Sequence, residues 1–295
     1  MSSIHPDTAL GPVALQVASL ERAISFYQEA LGFQLIKRNE ARALLGAANI
    51  PLLVLRERRG SAPVPVEATG LYHFAILVPS QAELGHALRR LIEARVPIGQ
   101  GDHLVSEALY LSDPDGNGIE IYRDRPRETW SWRNGQVAMA TDPVDLEGLL
   151  RAAQQEGKVS AGLPEGTVIG HVHLKVGDIP KAKAFYHGIL GFDVVAEMPS
   201  ALFVSAGGYH HHLGLNSWHS RNRPPAPADA AGLRAFTITV PDEALADVAQ
   251  RLEAGVVAYT KTELGLLFED PWRNRILVTS SANFIAVAEL AATLD

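Results

Sequence analysis

Alternating apolar positions mark the starts of four segments of this chain. Val13, Leu15 and Val17 alternate with Ala14 and Gln16, and Val172, Leu174 and Val176 alternate with His173 and Lys175, which is the period of a strand. A helix is predicted after each. Ser19 or Asp178 serves as N-cap, Phe26-Tyr27 or Phe185-Tyr186 lies on the apolar side, and Leu-Gly-Phe closes the helix with Gly32 or Gly191 where a left-handed residue is wanted. The whole stretch GPVALQVASLERAISFYQEALGF from Gly11 recurs without a gap as GHVHLKVGDIPKAKAFYHGILGF from Gly170. A second pair begins with GLYHFAILVP at Gly70 and GLRAFTITVP at Gly232, and runs on to SDPDGNGIEIY and EDPWRNRILVT. The chain is therefore an internal repeat of the order A, B, A′, B′. Each unit is predicted as βαβββ, an α+β arrangement. Strands are expected at Ala108–Ser112 and Gly118–Tyr122 around the DPDGNG turn, and at Ala201–Ser205 and His211–Asn216. The division expected is residues 1–126 (modules one and two), a linker 127–169 with a helix over Pro143–Gln155, residues 170–280 (modules three and four), and a tail 281–295. Arg221–Ala231, rich in proline, is predicted as a loop.

Composition narrows the chemistry. Among 295 residues there is no Cys, so disulfides, a thiolate nucleophile and thiolate-bound metals are excluded, and a metal site must use His, Asp and Glu. The absence of a long apolar run and of a basic, apolar N-terminus predicts a cytoplasmic protein without a membrane span. A net charge of −7 with sparse basic residues argues against a nucleic-acid partner. The eleven histidines carry the strongest signal, because all but His5 lie in the second and third units or at their edges. His73 and His171 open the first strands of those units, where the other two have Pro12 and Ala235. Glu120 alternates with Ile119 and Ile121 on the last strand of the second unit, where the fourth has Leu277. Two His and one carboxylate make a facial triad, which suits Fe(II), with Mn(II) also admitted. His173, two residues along from His171, is an alternative ligand or a pocket residue. His5, His86 and His187 are expected on solvated surface, and Phe26, Tyr27, Phe185 and Tyr186 in the core.

These units, the His-first strands, FYxxxLGF and DPDGNGIEIY resemble the vicinal oxygen chelate superfamily of glyoxalase I, bleomycin-resistance proteins and extradiol dioxygenases. The longer motifs DHLVSEALYLSDPDGNGIEIYRDRP and GYHHHLGLNSW look most like proteins of the catechol 2,3-dioxygenase type. The resemblance implies two half-barrels and His73, His171 and Glu120 as metal ligands. It implies that Tyr110 bonds a substrate oxygen, that His211 of HHxL is the acid/base, and that His103 stands behind Tyr110. His173, His210, His212, Asn216 and Trp218 are assigned to the substrate pocket, although alternation separates His211 from His210 and His212 and leaves open which face meets the metal. Trp130 and Trp132 are candidates for its mouth or for packing. Since the ligands come from units two and three, those two are expected to share one half-barrel and units one and four the other. The implied activity is extradiol ring cleavage of a small aromatic diol with O2; a glyoxalase-like isomerase or lyase, normally with two Glu ligands, and a metal-free binding or resistance protein are the alternatives. Homo-oligomerisation is compatible with the sequence.

Overall fold

The computed structural model describes residues 3–157 and 162–283, so most of the tail expected at 281–295 lies outside the described residues. Module one is β1 (Ala9–Val17), α1 (Leu20–Glu29), β2 (Gln34–Arg38), β3 (Arg42–Ala47) and β4 (Ile50–Glu57). Module two is β5 (Gly70–Leu77), α2 (Gln81–Glu93), β6 (Gly99–Asp102), β7 (Ser106–Ser112) and β8 (Gly118–Asp124). A linker carries the two-residue strands β9 (Trp132–Arg133) and β10 (Gln136–Val137) and the helix α3 (Leu146–Glu156). Module three is β11 (Val168–Lys175), α4 (Ile179–Lys183), β12 (Asp193–Met198), β13 (Ala201–Ser205) and β14 (Leu213–Asn216). Module four is β15 (Gly232–Val240), α5 (Leu245–Ala254), β16 (Tyr259–Thr262), β17 (Gly265–Glu269) and β18 (Arg275–Ser280).

Two eight-stranded sheets result. One has the order β16-β17-β18-β15-β1-β4-β3-β2 and the other β12-β13-β14-β11-β5-β8-β7-β6. Modules one and four thus share a sheet through the antiparallel β1–β15 pair, and modules two and three share the other through β11–β5. The pairing inferred from the positions of His73, His171 and Glu120 is the one the fold adopts. Ser19 and Asp178 cap their helices as expected, the latter by accepting from Lys181 N at 2.7 Å. Gly32 and Gly191 end them at φ 81° and 87°, backbone angles that side chains with a Cβ resist.

Some expectations are corrected. The linker helix starts at Leu146 because Asp145 caps it, accepting from Gly148 N at 2.8 Å, and Pro143 lies before that cap. The helix of module three gives way at Ala184–Ile189 to a π-helical turn with a Leu190 N to Phe185 O bond of 3.0 Å. His187 is exposed as expected, and its Nδ1 donates to the Phe192 carbonyl at 2.7 Å. His86 is only 2% exposed, because α3 packs on α2 and brings Glu156 within 3.5 Å of it.

The repeated Tyr and Asp-Pro motifs meet across the two sheets. Tyr27 donates to Asp113 at 3.0 Å, and Tyr186 donates to Asp270 at 2.8 Å. Each Asp also accepts from two backbone amides and from the amide side chain of Asn117 or Asn274 in its own loop. The bonds join module one to two and module three to four, so each clamps one sheet to the other.

Candidate metal centre and substrate cavity

Glu120, His73 and His171 lie on neighbouring strands. β5 pairs with β11 on one side and, in parallel, with β8 on the other, where Ala75 faces Glu120 in register. The three side chains converge: Glu120 Oε2 is 3.0 Å from the Nε2 of each histidine, and the two Nε2 atoms are 3.3 Å apart. They are 2%, 6% and 1% exposed respectively. Burial pushes His73 below the usual imidazole range. Burial alone would raise Glu120, but His171 and His73 together hold it well below the usual carboxylate range. A carboxylate and neutral imidazoles are the forms that bind a metal ion. Two imidazole nitrogens facing each other at 3.3 Å beside one carboxylate oxygen fit a shared cation, and all the ligand atoms lie within 4.8 Å of one another. His171 Nδ1 is buried with no hydrogen-bond partner among the described residues, so its ring is held by packing rather than by a second bond.

The trio sits in the wall of a cavity of about 640 Å³. Tyr110 is directly opposite Glu120 in the β7–β8 hairpin, so the spacing of the two residues follows from the DPDGNG turn between them. Its hydroxyl is 2.6 Å from His103 Nε2, and His103 Nδ1 is 2.7 Å from the Ala140 carbonyl. The carbonyl accepts only, so the Nδ1 proton is fixed there and neutral His103 accepts from Tyr110 at Nε2. Burial and the nearby Glu120 push the Tyr110 phenol far above its usual range, so it stays a proton donor.

His173, His211 and Trp218 also line the cavity. Asn216 does not, but its amide nitrogen is 3.0 Å from His173 Nε2 while its oxygen accepts from Trp218 N. It therefore orients His173 from behind the cavity wall. The structure does not bring His210 and His212 to the cavity either. His210 is fully buried, with Nε2 2.8 Å from Asp124 and Nδ1 2.8 Å from His211 Nδ1. His212 turns to Ser205 and the Ala206 amide, and burial pushes it down to about 3. The strand expected over His211–Asn216 begins only at Leu213, so the three histidines lie in the loop before it and are separated by their partners instead of by strand alternation; the His211 ring lies 4.2 Å from that of His171 and is held neutral by burial and by His171 and His210. His173 shares the face of His171, but the converging trio contains His171. Trp130 is buried against Tyr209, and Trp132 is 40% exposed.

Asp124, Tyr122 and the linker residues Met139, Ala140 and Thr141 were not among the residues expected at the site. For β8 a signal did exist: Glu120, Tyr122 and Asp124 alternate, so they share a face. A Cβ at Gly170 would overlap the Tyr122 hydroxyl, which explains the glycine at that point of β11. The linker residues line the cavity only through tertiary folding.

Comparison with known proteins agrees with this fold. The chain is 52% identical over 277 residues, 92% of its own length and 96% of the relative's, to a protein of Bacillus subtilis named catechol-2,3-dioxygenase. A solved structure of a putative dioxygenase from Bacillus subtilis superposes with a TM-score of 0.63 at 16% identity, over 99% of this chain and 90% of the other. Glyoxalase I from Zea mays superposes with a TM-score of 0.58 at 16% identity, over 97% and 96%. At those identities the two structures speak for the fold alone. The profile of the glyoxalase/bleomycin resistance protein/dioxygenase superfamily matches residues 9–121 and 168–278, one match for each half of the internal repeat. With the repeat, the two sheets and these matches in agreement, the chain belongs to that superfamily.

Proposed function

We propose that this protein is an extradiol ring-cleaving dioxygenase, which inserts O2 into a small aromatic diol at a mononuclear Fe(II) site held by His73, His171 and Glu120. The observation that carries the reading is the convergence of those three buried ligand atoms in a cavity that also presents Tyr110 and His211. The 52% identity to catechol-2,3-dioxygenase over nearly the full length supports the same reaction. A glyoxalase-like isomerase would want a second carboxylate, and the converging cluster contains one. Bound there, Fe(II) would favour ionisation of the diol and supply the electrons that activate O2; Mn(II) suits the same donors.

The protein's own groups divide the remaining work. Tyr110, whose one proton is held by His103, accepts from a diol hydroxyl and sets the ring's orientation. His211, neutral and buried beside the ligands, takes a substrate proton and returns it as the ring opens. Met139, Met198, Phe203, Leu111 and Trp218 give the rest of the cavity an apolar wall for the ring. Among the described residues that line it there is no Lys or Arg, and Glu120 is the one carboxylate. The substrate's substituents are accordingly apolar and uncharged.

Reconstitution with Fe(II) under anaerobic conditions tests the ligand set. The wild type should retain about one iron per chain, and His73→Ala, His171→Ala and Glu120→Ala roughly a tenth of that or less while keeping the wild-type circular dichroism. Iron retention unchanged in all three variants would refute the site.

A further inference from the structure

The face of β8 that carries Glu120 also carries Tyr122 and Asp124, and the last of these reaches the protein's edge, with a side chain 23% exposed. Asp124 Oδ1 is 2.8 Å from His210 Nε2 and accepts from the Tyr209 hydroxyl at 3.2 Å; Tyr209 in turn is 2.7 Å from the Tyr122 hydroxyl. His210 is fixed on its sides as well, by the Tyr209 ring at 4.2 Å and the Trp130 ring at 5.2 Å. From Asp124 inwards the hydrogen bonds form one directed row. An ionised carboxylate only accepts, so the proton of the first bond belongs to His210 Nε2. A neutral imidazole has one N–H, so His210 Nδ1 is then a lone pair. The atom facing it at 2.8 Å is His211 Nδ1, which must donate. The lone pair of His211 is left on Nε2, on the opposite edge of a ring that lines the cavity.

We propose that Asp124 and His210 are positioning residues that fix the tautomer and orientation of His211, presenting Nε2 to the bound diol as a proton acceptor. The inference rests on His211 being the acid/base group. It also gives the three consecutive histidines separate tasks: His211 meets the substrate, His210 sets the tautomer of His211, and His212 anchors the loop on Ser205. A base held in the other tautomer would turn an N–H toward the proton it must remove, so the row governs chemistry more than binding.

Nitrogen-15 NMR of the metal-free protein labelled at histidine reads the tautomer directly. His211, assigned by its absence in His211→Ala, should show a protonated Nδ1 and an unprotonated Nε2. In His210→Phe and Asp124→Leu it should become a mixture of both forms. In the iron-loaded enzymes kcat for catechol should fall by roughly 10- to 100-fold with KM changed less than about threefold. Asp124→Asn, whose amide oxygen still accepts from His210, should recover much of the loss seen in Asp124→Leu. A wild-type tautomer and wild-type turnover in His210→Phe and Asp124→Leu, alongside an inactive His211→Ala, would overturn the positioning role and leave the acid/base role standing. An active His211→Ala would overturn the acid/base role itself.

Discussion

A histidine becomes useful here when a neighbour decides which nitrogen keeps the proton. Ala140 does so for His103, Asn216 for His173, and the Ala206 amide for His212, whose Nδ1 it donates to. His212 shows the thermodynamic cost of such burial. Its folded-state value is about 3 against an ordinary 6.5, so between those values the unfolded chain binds a proton that the folded chain does not. Stability from this group is complete above pH 6.5 and is lost progressively as the pH falls toward 3. Urea unfolding from pH 7 to 4 should therefore show wild-type stability declining more steeply than that of the non-titrating His212→Gln, by about 1 kcal/mol per pH unit. Parallel declines would contradict the assignment. At this scale the sequence was partly legible. The triad could be read because the repeat supplies its own controls in Pro12, Ala235 and Leu277. His210, His212 and Asn216 were misplaced in the pocket because their side chains answer to partners remote in sequence, such as Asp124 and Ser205, which no local pattern reveals.

Among the elements, the helices and hairpins of the repeat are coupled by the buried Asp113 and Asp270. Burial raises both carboxyls above their usual range even though each accepts four hydrogen bonds. Removing the phenol in Tyr27→Phe takes away one bond and should cost about 1 kcal/mol. Asp113→Ala strands the tyrosine hydroxyl and the donors of the loop together, and should cost about 3 kcal/mol or more. Urea midpoints at constant slope measure both, and equal effects would show that the loop donors find other partners. The Phe-Tyr and Asp-Pro motifs were visible in the sequence as repeats, and the tyrosines were rightly placed in the core. Their mutual bond was not visible, since its ends lie in different sheets. The π-helical turn was also hidden, because Ala184–Ile189 aligns without a gap to a segment that is regular in module one.

At the scale of the whole molecule, the proposed site draws on modules two and three, which share one sheet. Module pairing was deduced from where the candidate ligands fall, since one ion could collect His73, His171 and Glu120 only if units two and three paired. The cavity's closure by Met139, Ala140 and Thr141 was not deducible, because linkers carry no repeat partner for comparison. With no Lys or Arg among the described residues of the cavity lining, 3,4-dihydroxybenzoate should show a kcat/KM at least about tenfold below that of 4-methylcatechol. Equal values would mean that the carboxylate finds a partner outside the cavity wall. No helix among the described residues is long and apolar enough to cross a membrane. The central claim concerns the reaction, and the direct test is to mix anaerobically Fe(II)-loaded protein with catechol and O2. Wild-type protein should consume O2 and catechol in equal amounts and develop the yellow absorbance of the ring-opened semialdehyde, while Glu120→Ala does neither. Full iron loading with neither signal, for catechol and for alkyl catechols alike, would contradict the account.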